Sequence, residues 1–149
     1  QVPGVMIETP AAALHADHVL AEVEFGSFGT NDLTQYVMAS DRMDSRLSDM
    51  TTAWHPAVLR AISAASKSAA TLNKPVGVCG EAAANALLAA VLVGLGVSSL
   101  SMAPSAIAEV RGFLASVSLE DCKKAAEAAL NARSAGDAEM AARDILEKN

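Results

Sequence analysis

The chain has 149 residues, 52% of them hydrophobic, which suits one domain of ordinary size with its own core. Its formal net charge of -6, without any Lys/Arg cluster, excludes a protein that binds nucleic acid by neutralising phosphates. Neither a signal peptide nor an apolar run long enough to cross a bilayer occurs in the sequence, so we expect a cytoplasmic protein without membrane insertion.

Short apolar runs alternate with helical patterns along the chain. Strands are predicted at residues 4–8, 24–32, 75–81 and 98–102. Helices are predicted at residues 10–21, 33–38, 56–71, 85–95, 104–114, 119–132 and 138–147, with Thr9 and Ser118 as caps. This alternation is typical of parallel strands joined by right-handed crossovers. Because the strands are apolar almost throughout, we expect both faces of the sheet to be buried.

The number of strand–helix units limits the possible folds. Four such units cannot close an eight-stranded barrel, which leaves an open sheet or half of a (β/α)8 barrel. Polar residues follow the predicted strands at their carboxyl ends, where barrel enzymes place their chemistry. A Rossmann fold is disfavoured because no G-x-G-x-x-G follows the first strand.

Glu8 and Asp32 are carboxylates predicted at the tips of the first two strands. Two carboxylates that meet at a barrel mouth suit Mg²⁺, which takes one or two of them and completes its shell with water and substrate oxygens. The alternative is that both residues only help to cap the helices that follow them.

The turn at residues 29–33 joins a predicted strand to a predicted helix. Backbone N–H groups at a helix N-terminus hold anions, and Thr30 and Asn31 add side-chain donors. Arg42 lies further along and could reach a bound phosphate or carboxylate. Its alternative role is a surface ion pair with a neighbouring aspartate.

Cys79 stands at the end of the third predicted strand, before Gly80 and Glu81. Glycine lets a ligand approach the backbone, and a cysteine is mostly a thiol at neutral pH. It could donate a proton to an enolate, act as a nucleophile beside a histidine, or be a small buried hydrophobe. The other cysteine, Cys122, lies in an Ala/Lys/Glu-rich helix and is predicted to be structural.

His15 and His18 are three residues apart in the first helical pattern. They could bind a metal ion together, but this spacing alone is weak evidence. We therefore expect ordinary surface histidines.

Six motifs spread over nearly the whole chain belong together. They are GVMIETPAA at 4–12, SFGTNDLTQY at 27–36, DR at 41–42, HPAVL at 55–59, GVCGE at 77–81 and LSM at 100–102. Together they resemble Enzyme I, the phosphoenolpyruvate–protein phosphotransferase family of the bacterial sugar phosphotransferase system. The Ser-x-Gly-Thr-Asn-Asp-Leu-x-Gln run is specific to phosphoenolpyruvate-utilising enzymes.

The resemblance implies a role for each matching residue. Glu8 and Asp32 would hold the Mg²⁺ cofactor. Asn31, the backbone at Asp32, and Arg42 would bind phosphoenolpyruvate. Cys79 would be the catalytic general acid that protonates pyruvate enolate at its methylene carbon.

The resemblance also implies a fold and partners. Residues 1–149 would be the last four βα units of an α/β (β/α)8 TIM barrel that binds phosphoenolpyruvate, with a helical tail over about residues 118–149. The phosphoryl group would pass to a histidine on a separate N-terminal domain, and then to the histidine phosphocarrier protein in sugar uptake. The isolated chain lacks that histidine and the arginines of the first half barrel, so we expect it to be inactive. We also expect a homodimer, because half a barrel leaves two strand edges open.

The chain departs from the family pattern at two places, and two alternatives stay open. After Cys-Gly-Glu the family usually has x-Ala-Gly-Asp, where this chain has Ala-Ala-Ala-Asn at 82–85. Near the last strand it often has Ser-Met-Ser, where this chain has Ser-Met-Ala at 101–103. The alternatives are a fragment of pyruvate phosphate dikinase or phosphoenolpyruvate synthase, and a non-catalytic dimerisation module. An N-terminus without Met suggests a piece of a longer protein.

Overall fold

The protein is an α/β structure built on one parallel sheet. A computed structural model describes residues 1–41 and 43–147, except for the side chain of Asp49. Over these residues the strands are β1 (Gly4–Ile7), β2 (Phe25–Gly29), β3 (Val76–Cys79) and β4 (Ser99–Ser101). They are all parallel and lie in the order β1-β2-β3-β4. The predicted parallel α/β architecture is therefore confirmed.

Helices connect the strands and continue beyond the last one. Helices α1 (Pro10–Leu14) and α2 (Ala16–Ala21) follow β1, and α3 (Thr30–Met38), a 3-10 helix (Ser45–Met50) and α4 (Pro56–Thr71) follow β2. Helices α5 (Glu81–Ala84) and α6 (Ala86–Gly94) precede β4, and α7 (Pro104–Ala115), α8 (Leu119–Leu130) and α9 (Ala135–Leu146) follow it. Across residues 1–41 and 43–147, none of the helices combines the length and the apolar character needed to span a bilayer.

Local sequence signals set several helix starts. Thr9 accepts a hydrogen bond from the N–H of Ala12 at 3.2 Å, and Pro10 begins α1, where its missing N–H costs nothing. Ser118 accepts a hydrogen bond from the N–H of Asp121 at 3.0 Å and begins α8. Both predicted caps are confirmed.

Several predicted boundaries are wrong, among them the end of the third strand, which is Cys79 rather than residue 81 because Glu81 already begins α5. The single helix predicted over residues 10–21 is broken at His15, whose φ of -105° and ψ of 22° leave the helical region. Strand β2 ends at Gly29 rather than Asp32, because Gly29 is already the N-cap of α3. Helix α9 begins at Ala135 instead of residue 138, because Ser134 accepts a hydrogen bond from the N–H of Asp137 at 3.1 Å.

The core lies between the sheet and the helices. Ile7, Phe28 and Val78 are in register on one face of the sheet and are at most 1% exposed. The opposite face carries Met6, Ser27, Gly77 and Ser99 in register. Met6 is 44% exposed, so the expectation that both faces are buried is wrong for the described residues. Helices cover one face, because right-handed crossovers between consecutive neighbouring strands keep to one side of the sheet.

Candidate active site

The described residues of the predicted site lie at the carboxyl end of the sheet. Glu8 directly follows β1, α3 begins directly after β2, and Cys79 is the last residue of β3. The register pairs Gly29 with Cys79 and Cys79 with Ser101, so these strand ends are level with one another. The fold therefore gathers Glu8, Asn31, Asp32 and Cys79 at one edge of the sheet.

The carboxylate of Glu8 lies against Gly29. A Cβ atom added to Gly29 would stand 2.8 Å from Oε2 of Glu8, so a side chain there would displace the carboxylate. Gly29 is the N-cap of α3, whose first turn contains Asp32. The contact therefore sets the carboxylate of Glu8 beside the helix turn that carries Asp32.

Glu8 and Asp32 fit the donor set of a magnesium site. Both side chains are partly buried, and neither forms an ion pair or a hydrogen bond with another described residue. Carboxylate oxygens without protein partners are the ligands that Mg²⁺ takes, with water and substrate oxygens completing its shell. Neither residue caps a helix, because the N-cap of α1 is Thr9 and that of α3 is Gly29. The capping alternative is wrong for both.

Helix α3 begins without a side-chain cap. Its N-cap residue is Gly29, which has no side chain to accept from the N–H groups of the first turn. Uncapped N–H groups and the positive end of the helix dipole attract an anion. Asn31 and Asp32, predicted at a strand tip, lie in this turn, where the amide of Asn31 adds a donor next to the backbone.

The thiol of Cys79 faces the backbone of the neighbouring strand. Its Sγ atom donates to the carbonyl oxygen of Phe28 at 3.4 Å, and the Thr30 hydroxyl donates to the carbonyl oxygen of Cys79 at 3.3 Å. The side chain of Cys79 is partly exposed, whereas Cys122 is 3% exposed. The role of a buried core cysteine therefore belongs to Cys122, as predicted, and not to Cys79.

Gly80 fixes the turn that follows Cys79. Its φ of 103° and ψ of -162° lie in a region that glycine alone adopts readily. The N–H of Gly80 donates to the carbonyl oxygen of Ser101 at 3.3 Å, which ties the turn to β4. A Cβ atom at Gly80 would stand 3.7 Å from Nδ2 of Asn31, so the turn runs beside the start of α3.

Two of the clefts beside this turn are lined by both Asn31 and Glu81. Asn31, Thr34, Trp54 and Glu81 are among the residues that line the first, which has a volume of about 210 Å³. Asn31, Met43, Thr51 and Glu81 line the second, of about 440 Å³. Among the described residues, Glu8, Asp32 and Cys79 line neither cleft. The structure therefore places Asn31 and Glu81 at the open side of the site.

Thr34 is a lining residue that the sequence did not single out. Its side chain is 2% exposed, and its hydroxyl has no hydrogen-bond partner within residues 1–41 and 43–147. The only sequence signal for it is its place in the motif at residues 27–36. A buried hydroxyl without a partner in the wall of the first cleft is available to a bound polar group.

Arg42 lies outside the described residues, so its predicted role in substrate binding stays a prediction. One aspartate near it has a partner, since Asp44 forms an ion pair with Arg46 at 2.7 Å. The hydrogen bonds from Arg46 lower the pKa of the Asp44 carboxyl below its usual value.

Curated relatives match most of the chain but only a small part of their own length. A phosphoenolpyruvate-protein phosphotransferase of Streptomyces coelicolor is 49% identical over 143 residues, which are 96% of this chain and 26% of the relative. One of Haloferax volcanii is 44% identical over 129 residues, 87% of this chain and 23% of the relative. A multiphosphoryl transfer protein of Xanthomonas campestris is 44% identical over 132 residues, 89% of this chain and 16% of the relative.

These relatives confirm the resemblance to the phosphoenolpyruvate–protein phosphotransferases, which are enzymes. The chain spans about a quarter or less of the length of the three relatives. A family model described as "PEP-utilising enzyme, PEP-binding domain" matches residues 2–119. This match covers most of the chain. The chain therefore belongs to the family of PEP-binding domains of PEP-utilising enzymes.

Proposed function

We propose that this chain is part of a phosphoenolpyruvate–protein phosphotransferase and that its strand-end site binds phosphoenolpyruvate with Mg²⁺. The observation that carries the proposal is the uncapped start of α3, which lies at the same sheet edge as Glu8 and Cys79. A helix start of this kind suits a phosphate group. The names of the relatives and the PEP-binding family support the same substrate.

Each side chain has a defined task in this proposal. Glu8 and Asp32 would hold Mg²⁺, which supplies positive charge to the phosphoryl and enolate oxygens. Asn31 and the first-turn N–H groups of α3 donate to the phosphate, and Arg42 adds a positive charge. These groups orient the substrate and oppose the negative charge that builds up as the phosphoryl group leaves.

The proton step belongs to Cys79. The P–O bond of phosphoenolpyruvate breaks as an N–P bond forms on the acceptor histidine, which leaves pyruvate enolate. The S–H group of Cys79 gives its proton to the methylene carbon of the enolate, and the resulting thiolate regains a proton from water. The S–H group that donates to Phe28 is the group this step requires.

The sheet is proposed to be the second half of a (β/α)8 barrel. Three features support this: the strands pair in sequential order, the helices lie on one side of the sheet, and the opposite face is partly open. In a complete barrel the open face would become the interior. In this proposal residues 1–149 make up the domain's second half, and the tail from about residue 118 contains α8 and α9. The phosphocarrier protein as partner, the role in sugar uptake and the cytoplasmic location belong to the same proposal.

Titration calorimetry with phosphoenolpyruvate and Mg²⁺ tests the binding site. We expect Glu8→Ala, Asp32→Ala, Asn31→Ala and Arg42→Ala each to weaken binding, because each removes a charge or a donor. Glu22→Ala is the matched control, since it removes an exposed carboxylate at the end of α2, outside the predicted site. Equal binding by all variants would contradict the assignment.

The catalytic role needs the complete enzyme. In the complete enzyme we expect Cys79→Ala to abolish pyruvate formation while Mg²⁺ binding persists. Continued turnover would show that Cys79 is not the acid. The isolated chain should produce no pyruvate when it is incubated with phosphoenolpyruvate, Mg²⁺ and an acceptor protein. Pyruvate production by the isolated chain would refute the predicted inactivity. The acceptor that becomes phosphorylated would also separate this enzyme from a dikinase or synthase.

A dimerisation module is the second candidate function. Strands β1 and β4 are the outer strands of the described sheet, so each has one edge without a strand partner there. Beside β4 runs a cleft of about 340 Å³ lined by apolar side chains that include Leu100, Met102 and Ile107. Open strand edges pair with other chains, so a homodimer is expected in sedimentation equilibrium. A monomer at all concentrations would count against it.

A further inference from the structure

Three side chains with metal-binding atoms meet at the junction of α1 and α2. His15, Asp17 and His18 each offer one ligand atom, and these atoms all lie within 4.8 Å of one another. Within residues 1–41 and 43–147 this is the one group of three His, Cys, Asp or Glu side chains that meets this distance. All three residues are exposed, so an ion from solvent can reach them.

The helix break described above creates the cluster. The carbonyl oxygen of His15 accepts from the N–H groups of both His18 and Val19 at 3.1 Å, which turns the chain from α1 into α2. On the opposite side of the junction, Ala16 and Leu20 are 0% exposed and anchor the backbone in the core. The backbone that carries the three side chains is therefore held by buried packing.

The side chains already lie close to a coordinating arrangement. The rings of His15 and His18 have centroids 5.2 Å apart with planes at 53°, and Oδ1 of Asp17 lies 3.1 Å from Nδ1 of His18. His15 is the N-cap residue of α2 but makes no side-chain capping hydrogen bond, so its ring is not used to cap the helix. In a tetrahedral zinc site the ligand atoms are about 3.3 Å apart, so these exposed side chains need to close by at most about 1.5 Å.

We propose that His15, Asp17 and His18 form a binding site for a divalent transition-metal ion. Two imidazole nitrogens and a carboxylate oxygen suit Zn²⁺, Ni²⁺ or Cu²⁺, whereas Mg²⁺ prefers oxygen ligands alone. With three protein ligands, a four-coordinate ion keeps one position for water or another ligand. This metal site shares no residue with the proposed substrate site, so a test of one site does not depend on the other.

Calorimetric titration of the untagged chain with ZnCl2 tests the site. We expect saturable binding in which His15→Ala or His18→Ala weakens the affinity at least about tenfold, the loss seen when even an outer partner of a metal ligand is removed. His55→Asn is the matched control for the remaining histidine, because asparagine can keep the helix cap that Nδ1 of His55 provides to Ala57. It should leave the affinity unchanged.

A spectroscopic readout separates this site from zinc bound at a thiol. In histidine-labelled protein, Zn²⁺ should shift the ring signals of His15 and His18 but not those of His55, and a tenfold excess of Mg²⁺ should not reverse the shift. Circular dichroism of each variant confirms that it folds. Unshifted ring signals, or an H15A/H18A double variant that binds as tightly as the parent chain, would overturn the proposal.

Discussion

Gly80→Ala tests the turn that holds Cys79 in place. The φ of 103° and ψ of -162° at Gly80 are rarely adopted by residues with a side chain. A Cβ atom there would meet its nearest neighbours, Thr30 and Asn31, at 3.7 Å, which is ordinary contact. Steric overlap therefore contributes little, and the expected loss of about 1–3 kcal/mol is the cost of backbone strain.

Gly112→Ala is the matched control for this substitution. Gly112 lies within α7, and apart from its chain neighbours and the backbone of its own helix, no atom of the described residues stands within 4 Å of a Cβ added to it. Alanine there should stabilise the protein by about 0.5–1 kcal/mol, because glycine is the poorer helix former. Urea unfolding of the two variants should thus show shifts of opposite sign. A Gly80→Ala variant as stable as the Gly112→Ala variant would refute the claim that this turn requires glycine.

Four further predictions concern the core and the cysteines. Gly94→Ala would push a methyl group into the backbone carbonyl of Cys122 on α8. The variant should lose about 1–3 kcal/mol of unfolding free energy in urea. An unchanged stability would mean that α6 and α8 can move apart at no cost. Phe28→Ala, at a fully buried position, should cost about 3–5 kcal/mol by the same measurement; less than half of that would argue against a tightly packed core. A thiol reagent should label Cys79 in the folded chain and Cys122 only after unfolding, and equal labelling rates would contradict the burial difference. Burial raises the pKa of the Cys122 thiol above its ordinary value of 9.0, so as the pH rises the thiol ionises in the unfolded chain before it does in the folded chain. The free energy of unfolding should therefore fall as the pH rises above 9.0. Cys122→Ala should remove this pH dependence.

The helix starts show which parts of the fold local sequence can predict. Thr9 and Ser118 lie directly before helical patterns, and the hydrogen bonds they form depend only on residues three positions away. The sequence alone does not show the break at His15, because the apolar pattern runs on through it and the buried packing of Ala16 and Leu20 decides the path of the backbone. Helix α9 begins before the predicted residue 138, because Ser134 caps it and lies outside the helical pattern that the sequence shows.

The candidate site also contains residues that the sequence predicts and residues that it does not. The sequence predicts Glu8, Asn31, Asp32 and Cys79 because each follows an apolar run, and parallel strands end at a common edge of the sheet. The cleft residues Thr51 and Trp54 were not assigned to the site. They come from the loop after the 3-10 helix, and its position beside Glu81 depends on tertiary packing that no local pattern reports.

The sequential strand order shapes how this chain folds. Each strand of the described sheet pairs with the next strand in the sequence, so no pairing waits for a strand from a distant part of the chain. The crossover from β2 to β3, residues 30–75, contains α3, the 3-10 helix and α4, so this pairing closes the longest loop of the described sheet and costs the most loop-closure entropy. We therefore expect the pairing of β3 with β2 to be the slow step in forming this sheet, because parallel strands joined by long crossovers pair slowly.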